Sequence, residues 1–404
     1  MKKILKQMTA LCLIAVLLLC CSCGEAQGPK KATRPEDEVR AVWLCYFELA
    51  APAGGTEAAF RERFGKGFRE LADFGINTVF VQVRPFADAI YPSALFPWSD
   101  IFGGKQGVDP GFDPLAVLLR LGQEHGLAIH AWINPFRASR SADASKLAPG
   151  HPILPHIEAD DGWARQADGR WYWNPALPEV HALVYAGVRE LLENYALAGI
   201  HIDDYFYPTK DAAFDAAQYE SYRKRGGGLA LGDWRREMVS QFVAGLYRET
   251  KRIRPDAVVS ISPAANIEKN YADMYADLER WTREPGFADW IIPQLYFGFE
   301  NQSMPFERWA RRWAALVAEA EANAKEPVKL IFGLGLYKAG LEDAYAGAGS
   351  GEWLGNNRMI AEQLEMIRKL PAYYGLALFS FNSLAGESLS KAAKREKEHL
   401  EKLF

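Results

Sequence analysis

The chain has 404 residues, 12 of them Trp, and a formal charge of −4 with no long basic run, which argues against a nucleic-acid partner. Four of its five cysteines lie within the first 23 residues, leaving Cys45 alone beyond them. An exported protein of this kind has no internal disulfide to rely on, and the roughly 380 residues that remain are enough to bury a large core.

Lys2, Lys3 and Lys6 precede an apolar stretch at residues 11–19, and CCSCGEA follows. This is the order of an export signal, with an apolar segment too short to span a membrane permanently. Cys23, preceded by the small Ser22, resembles the lipid-modified cysteine of a bacterial lipoprotein. Residues 1–23 are therefore expected to be a signal ending at a lipidated Cys23, and 24–38 a polar, Pro-bearing linker. Residues 39–404 are expected to form one domain, lipid-anchored in the cell envelope, with the outer membrane as the expected site.

From Val39 onward strand and helix patterns alternate. VRAVWLCYF reads as strand one, followed by a helix at 58–74, and TVFVQVRPF as strand two. A Pro- and Gly-rich excursion leads to a helix opening at Asp113-Pro114, an N-cap and first-turn pair. LAIHAWINPF is strand three, followed by an irregular segment at 137–178 and a helix at 179–196. GIHIDDYFY is strand four. An excursion at 209–229 and a helix at 232–253 lead to AVVSISPAA, strand five. A helix at 271–283, strand six in ADWIIPQLYF and a helix at 306–324 come next. VKLIFGLGLYK is strand seven, with a helix at 357–369, and YGLALFSFNSL is strand eight, with a charged amphipathic helix closing the chain. Eight strands alternating with eight helices predict an α/β fold, a (β/α)8 TIM barrel with long loops after strands 2, 3 and 4. An open doubly wound sheet is disfavoured because no Gly-rich phosphate loop follows strand one.

Strand ends on one barrel face are where catalysis is built. Along strand four, His201, Asp203 and Tyr205 share one parity and Ile200, Ile202 and Asp204 the other. The isoleucines suit the outer helices, which turns His201 and Asp203 toward the axis. An axial carboxylate serves as a glycosidase nucleophile or stabilises an oxocarbenium-like state, whereas the bland alternative is an Asp pair capping backbone amides. Gln82 and Arg84 share a parity in strand two and both are expected to point inward, Arg84 pairing with a carboxylate or gripping an acidic substituent. Asp88 lies just beyond. His130, Trp132 and Asn134, then Arg137, mark strand three; Gln294 and Tyr296 mark strand six; Tyr337 ends strand seven. Aromatic residues of GRWYWNP, Trp173 among them, are expected to form a lid or line subsites rather than merely pack. The histidines lack metal-binding spacing and no nucleophile elbow is present, so neither a metal nor another cofactor is implied.

VRAVWL, GINTVFVQVRPFADAIYPS, PWSDIFGGKQGVDPGFDPL, HAWINPFR, WYWNP, GIHIDDYFYP, DWRR, ISPAANI, PQLYF and GLGLYK together resemble the glycosyl-hydrolase-like family 10 domain of bacterial lipoproteins, over about residues 39–384. The resemblance implies a barrel related to alpha-amylase-type glycosidases. It also implies cleavage of the bond between N-acetylmuramic acid and N-acetylglucosamine in peptidoglycan strands stripped of stem peptides. In GIHID it puts Asp203 in the nucleophile slot, with His201 where the amylase pattern has Arg and Ile200 where it has an aromatic residue. SISPAAN lacks the Glu that would be the acid on strand five, leaving Asp204, Glu300 and Glu48 as candidates. Glycosidase action on another exported polysaccharide, and a non-catalytic glycan-binding lipoprotein, are the rival readings.

Overall fold

The computed structural model describes residues 38–51, 55–322, 326–386 and 388–404. The export signal, Cys23 and all of the linker but Glu38 lie outside the described residues. Glu38 belongs to the barrel instead: it is buried, and its carboxylate accepts from Arg368 and Arg40 where the first strand begins.

Eight parallel strands close on themselves. They are β1 Val39–Leu44, β2 Thr78–Arg84, β3 Ala128–Ile133, β4 Gly199–Ile202, β5 Val258–Ile261, β6 in two pieces Trp290–Ile291 and Gln294–Leu295, β7 Lys329–Leu334 and β8 Tyr373–Leu378. β8 pairs with β1 through Val39↔Gly375 to Val42↔Leu378, which completes the ring. β6 is split around Pro293, which has no N–H to give a ladder. The principal helices around the strands are α1 Glu57–Phe74, α2 Pro114–His125, α3 Pro178–Asn194, α4 Leu231–Ile253, α5 Leu278–Arg283, α6 Phe306–Glu321, α7 Met359–Ile367 and, after the last strand, α8 Lys391–Leu400. The Asp113 side chain accepts from Ala116 N at 2.9 Å with Pro114 in the first turn, so α2 begins where the sequence predicts.

Period-two alternation sorts the strands into two packed layers. Val42, Leu44, Val79, Val81, Ile129, Ile200 and Ile202 join the apolar layer under the helices, while Ala41, Trp43, Cys45, Phe80, Trp132, Ile331 and Ala377 fill the barrel interior. Strand four therefore has the orientation its parity predicts.

Two loop expectations need correction. Residues 137–178 are not irregular throughout: they hold a short helix, Leu154–Ala159, and an antiparallel hairpin, Ala164–Ala167 with Arg170–Trp173. Its turn is Asp168-Gly169, with φ of 47° and 69°. This is a dipeptide suited to the two left-handed residues of a tight hairpin turn. The excursion after β4 likewise contains a helix, Ala216–Lys224. Arg235 on α4 anchors that excursion, with a buried bidentate pair to Asp215 and a bond to Tyr275.

Candidate active site

Asp203 follows the last residue of β4 and is buried at the barrel mouth. A chain of hydrogen bonds fixes its surroundings without ambiguity in the amides. Tyr46 N–H can only donate, and it meets Gln82 Oε1 at 3.1 Å. Gln82 Nε2 therefore faces Asn134 Oδ1, at 2.7 Å, and Asn134 Nδ2 donates to Asp203 Oδ1 at 2.5 Å. Burial pushes the Asp203 carboxyl up to about 7, the Asp204 charge adds to the rise, and Asn134 and Arg137 oppose it. Burial also raises Asp204, against a hydrogen bond from Gln294 and the charge of Arg137. A raised carboxyl keeps its proton to higher pH than a free one, and two neighbouring carboxyls resist ionising together, which is the condition an acid/base pair requires.

Around the pair, Arg137 stacks on two rings, its guanidinium carbon 4.5 Å from the centroid of Phe86 and 4.4 Å from that of Tyr205. Gln294 Nε2 donates to Ser262 O at 3.0 Å beside Asp204. Tyr296 packs edge-on against Trp43 and Tyr337, and burial together with the Asp204 charge holds its hydroxyl protonated. Tyr337 and Tyr205 remain exposed enough to face a ligand. The structure thus brings Gln82, Asn134, Arg137, Asp203, Asp204, Tyr205, Gln294, Tyr296 and Tyr337 to one mouth.

Other predicted residues go elsewhere. Arg84 does not point inward: the β2–β3 register shifts between Gln82 and Arg84, and this irregularity inverts the parity. Its guanidinium lies over Phe96 at 4.5 Å, and a Cβ on Gly187 of α3 would come within 2.5 Å of it, so it is packed under that helix. Trp173 is neither lid nor subsite. It is fully buried and joins the layer under the helices. The hairpin that carries it instead clamps the loop after β3, with Trp173 N bonded to Phe136 O and Arg137 bridged to Tyr172. Trp353, in the loop after β7, is also buried.

His201 lies inside the barrel with both nitrogens occupied. Trp43 Nε1–H donates to its Nε2 at 3.0 Å, so the proton sits on Nδ1 and is given to Ser260 Oγ at 2.8 Å. Burial holds this ring neutral. His130 is stacked on Trp290 and is likewise kept neutral by burial, its pKa lowered to about 3. Trp132 packs edge-on to His201 in the interior. These three form the floor under the site rather than its lining.

The remaining acid candidates separate. Glu48 is saturated: it accepts from Cys45 N, Ser380 Oγ and Asn382 N, tying the end of β1 to the end of β8. Glu300 is exposed in the loop after β6, its N–H held by Glu352, and no hydrogen bond or ion pair joins it to the Asp pair among the described residues. Asp88 is buried beside Gln106, which donates to it at 3.2 Å, and burial raises it to about 6. Among the described residues no hydrogen bond or ion pair joins it to the pair either. Asp204 is the acid candidate that stands next to Asp203. Phe86 and Tyr46 were missed as site residues, although each is an aromatic residue just past a strand end. Among the described residues no group of three or more His, Cys, Asp or Glu side chains could hold a metal ion.

Residues 38–344 match the glycosyl hydrolase-like 10 family. The chain belongs to that family. Family membership and the barrel assign it to the glycoside hydrolases. It is 33% identical over 323 residues to the glycosyl hydrolase YngK of Bacillus subtilis, covering 74% of this chain and 61% of YngK. It is 29% identical over 414 residues to the glycosyl hydrolase DigH of Escherichia coli O6:H1, covering 91% of each. The glycoside hydrolase domain of PgaB (BpsB) from Bordetella bronchiseptica shares the fold, with a TM-score of 0.57 at 14% identity over 90% of this chain and 99% of that one.

Proposed function

We propose that this family member hydrolyses bacterial cell-wall glycan, at the linkage between N-acetylmuramic acid and N-acetylglucosamine in peptide-free peptidoglycan strands. The observation that carries the reading is the pair of adjacent carboxyls at the mouth, Asp203 buried and Asp204 half-buried, both raised above the ordinary carboxylate range by burial. The protonated carboxyl gives its proton to the glycosidic oxygen as the bond to the anomeric carbon breaks. The ionised one stabilises the positive charge that develops on the sugar ring, and water then adds to the anomeric carbon, giving its proton to the carboxylate that acted as acid and so restoring it. Asn134, oriented by Gln82, holds Asp203 in place. Tyr205, Tyr296 and Tyr337 offer aromatic faces to sugar rings. Envelope anchoring through a lipid on Cys23 is part of the proposal; lipid labelling that persists in Cys23→Ala would refute it.

The test is mass spectrometry of products from peptide-free strands, with peptide-bearing sacculi and an Asp203→Asn variant run beside them. Hydrated reducing-end saccharides that disappear in the variant support the proposal. Products ending in a 1,6-anhydro sugar would mean a lytic transglycosylase. Binding without cleavage would mean a glycan-binding lipoprotein. Cleavage of other polysaccharides alone would move the substrate.

A further inference from the structure

Arg137 is a cation without an anion. Its Nε–H is buried and has no acceptor, and its guanidinium makes no hydrogen bond or ion pair among the described residues, although the side chain is only 9% exposed. Arg140, the other arginine on Phe86, differs: it lies 5.0 Å from that ring but is paired to Asp100 at 2.7 Å. The Arg137 guanidinium is packed against the rings of both Phe86 and Tyr205. Its backbone is fixed by the bridge to Tyr172 and by the flanking bonds of Phe136 O to Trp173 N and of Trp171 O to Ala138 N. A rigid hairpin and two aromatic faces thus hold a donor fork whose acceptor is missing. Its charge acts on both Asp203 and Asp204 without ion-pairing to either.

We propose that Arg137 is the receptor for a free carboxylate on the substrate sugar bound next to Asp203 and Asp204. A guanidinium has only donors and matches a planar carboxylate with two parallel hydrogen bonds. An amide offers one neutral oxygen, and its N–H meets donors. A sugar acid whose carboxyl is capped as an amide is therefore rejected, and one whose carboxyl is free is selected. This rests on the wall-glycan reading and deepens it. In that polymer the acidic group is the lactyl carboxylate of N-acetylmuramic acid, which is free where the stem peptide has been removed and amide-linked where it has not. Arg137 then selects stripped strands, and by seating the acidic sugar it selects which of the two alternating bonds lies over the aspartates.

The full chain is assayed on two preparations of peptide-free strands, one with free carboxyls and one with the same carboxyls coupled to methylamine. The expected preference of the wild type for the free acid is about tenfold to a hundredfold in kcat/KM, the range for a lost charged hydrogen bond. Arg137→Met is expected to bring that ratio close to one, and Arg137→Lys to retain part of it. The ratio is the readout because a general loss of activity from disturbing the aspartates lowers both rates and leaves it unchanged. A wild-type ratio near one, or a ratio that survives Arg137→Met, overturns the proposal while leaving the wall-glycan reading intact. If the wild type cleaves neither preparation, the wall-glycan reading fails. Calorimetry with oligogalacturonate and its methyl ester then tests the arginine by itself. Tighter binding of the acid that is lost in Arg137→Met supports a carboxylate receptor for another acidic glycan; equal binding overturns it. Arg137→Lys provides the same comparison if Arg137→Met does not fold.

Discussion

Asn134 Nδ2 lies 2.5 Å from Asp203 Oδ1, and the orientation of that amide is dictated by a backbone N–H two links away, at Tyr46. A donor on Asp203 stabilises its ionised form, so Asn134 lowers a carboxyl that burial raises. Replacing Asn134 by Ala is expected to lower kcat/KM by about tenfold to a hundredfold. It should also move the limb of the pH–rate profile that reports the pair to higher pH. An unmoved limb would show that the bond does not tune the pair.

The buried Asp203 also leaves a signature in stability. Asp203 in the folded protein titrates near 7, above its ordinary value of 3.8. A raised carboxyl contributes stability that is fully present below the unfolded value and is lost as pH rises through the folded one. Asp203→Asn is therefore expected to stabilise the protein at pH 8 by on the order of 2 kcal/mol, and by much less at pH 4. Thermal melts at the two pH values check this. A gain that does not depend on pH would argue against the titration.

Arg84 and Gly187 form a tight contact between β2 and α3. Gly187→Ala would bring a methyl group 2.5 Å from Arg84 Nη1 and 2.9 Å from Phe96, an overpacking expected to cost about 1–3 kcal/mol. Arg84→Met is expected to relieve it. By itself Arg84→Met should leave hydrolysis within about threefold and stability nearly unchanged, since both terminal nitrogens of Arg84 are buried without partners. Denaturant melts of the two single variants and the double variant supply the coupling.

Glu300 provides a negative control for the acid. Its side chain is exposed and its N–H is held by Glu352, so Glu300→Gln should keep kcat within about twofold, whereas Asp204→Asn should lower it by about a hundredfold or more. The reverse order in a steady-state assay would make Glu300 the acid.

Local rules carried much of this protein into view. The alternation of eight strands with eight helices, the Asp113 N-cap and the inward side of strand four follow from periods of 2 and 3.6 and from capping chemistry, which act over a few residues. That was enough to set Asp203 at the barrel mouth with Asn134 and Gln82 on neighbouring strands. Tertiary structure decided the rest. One register shift in β2 turned Arg84 out under α3, because a single extra residue inverts every later side chain. The hairpin around Asp168-Gly169 lies in a segment whose sequence reads as irregular, and where it docks depends on contacts with Phe136 and Arg137, far away in the chain. That docking buried Trp173 and made Arg137, not Arg84, the cation beside the aspartates. Composition could count the arginines and tryptophans, but only the packed barrel could determine which of them meet the site, because a loop side chain takes its direction from whatever its backbone is held against.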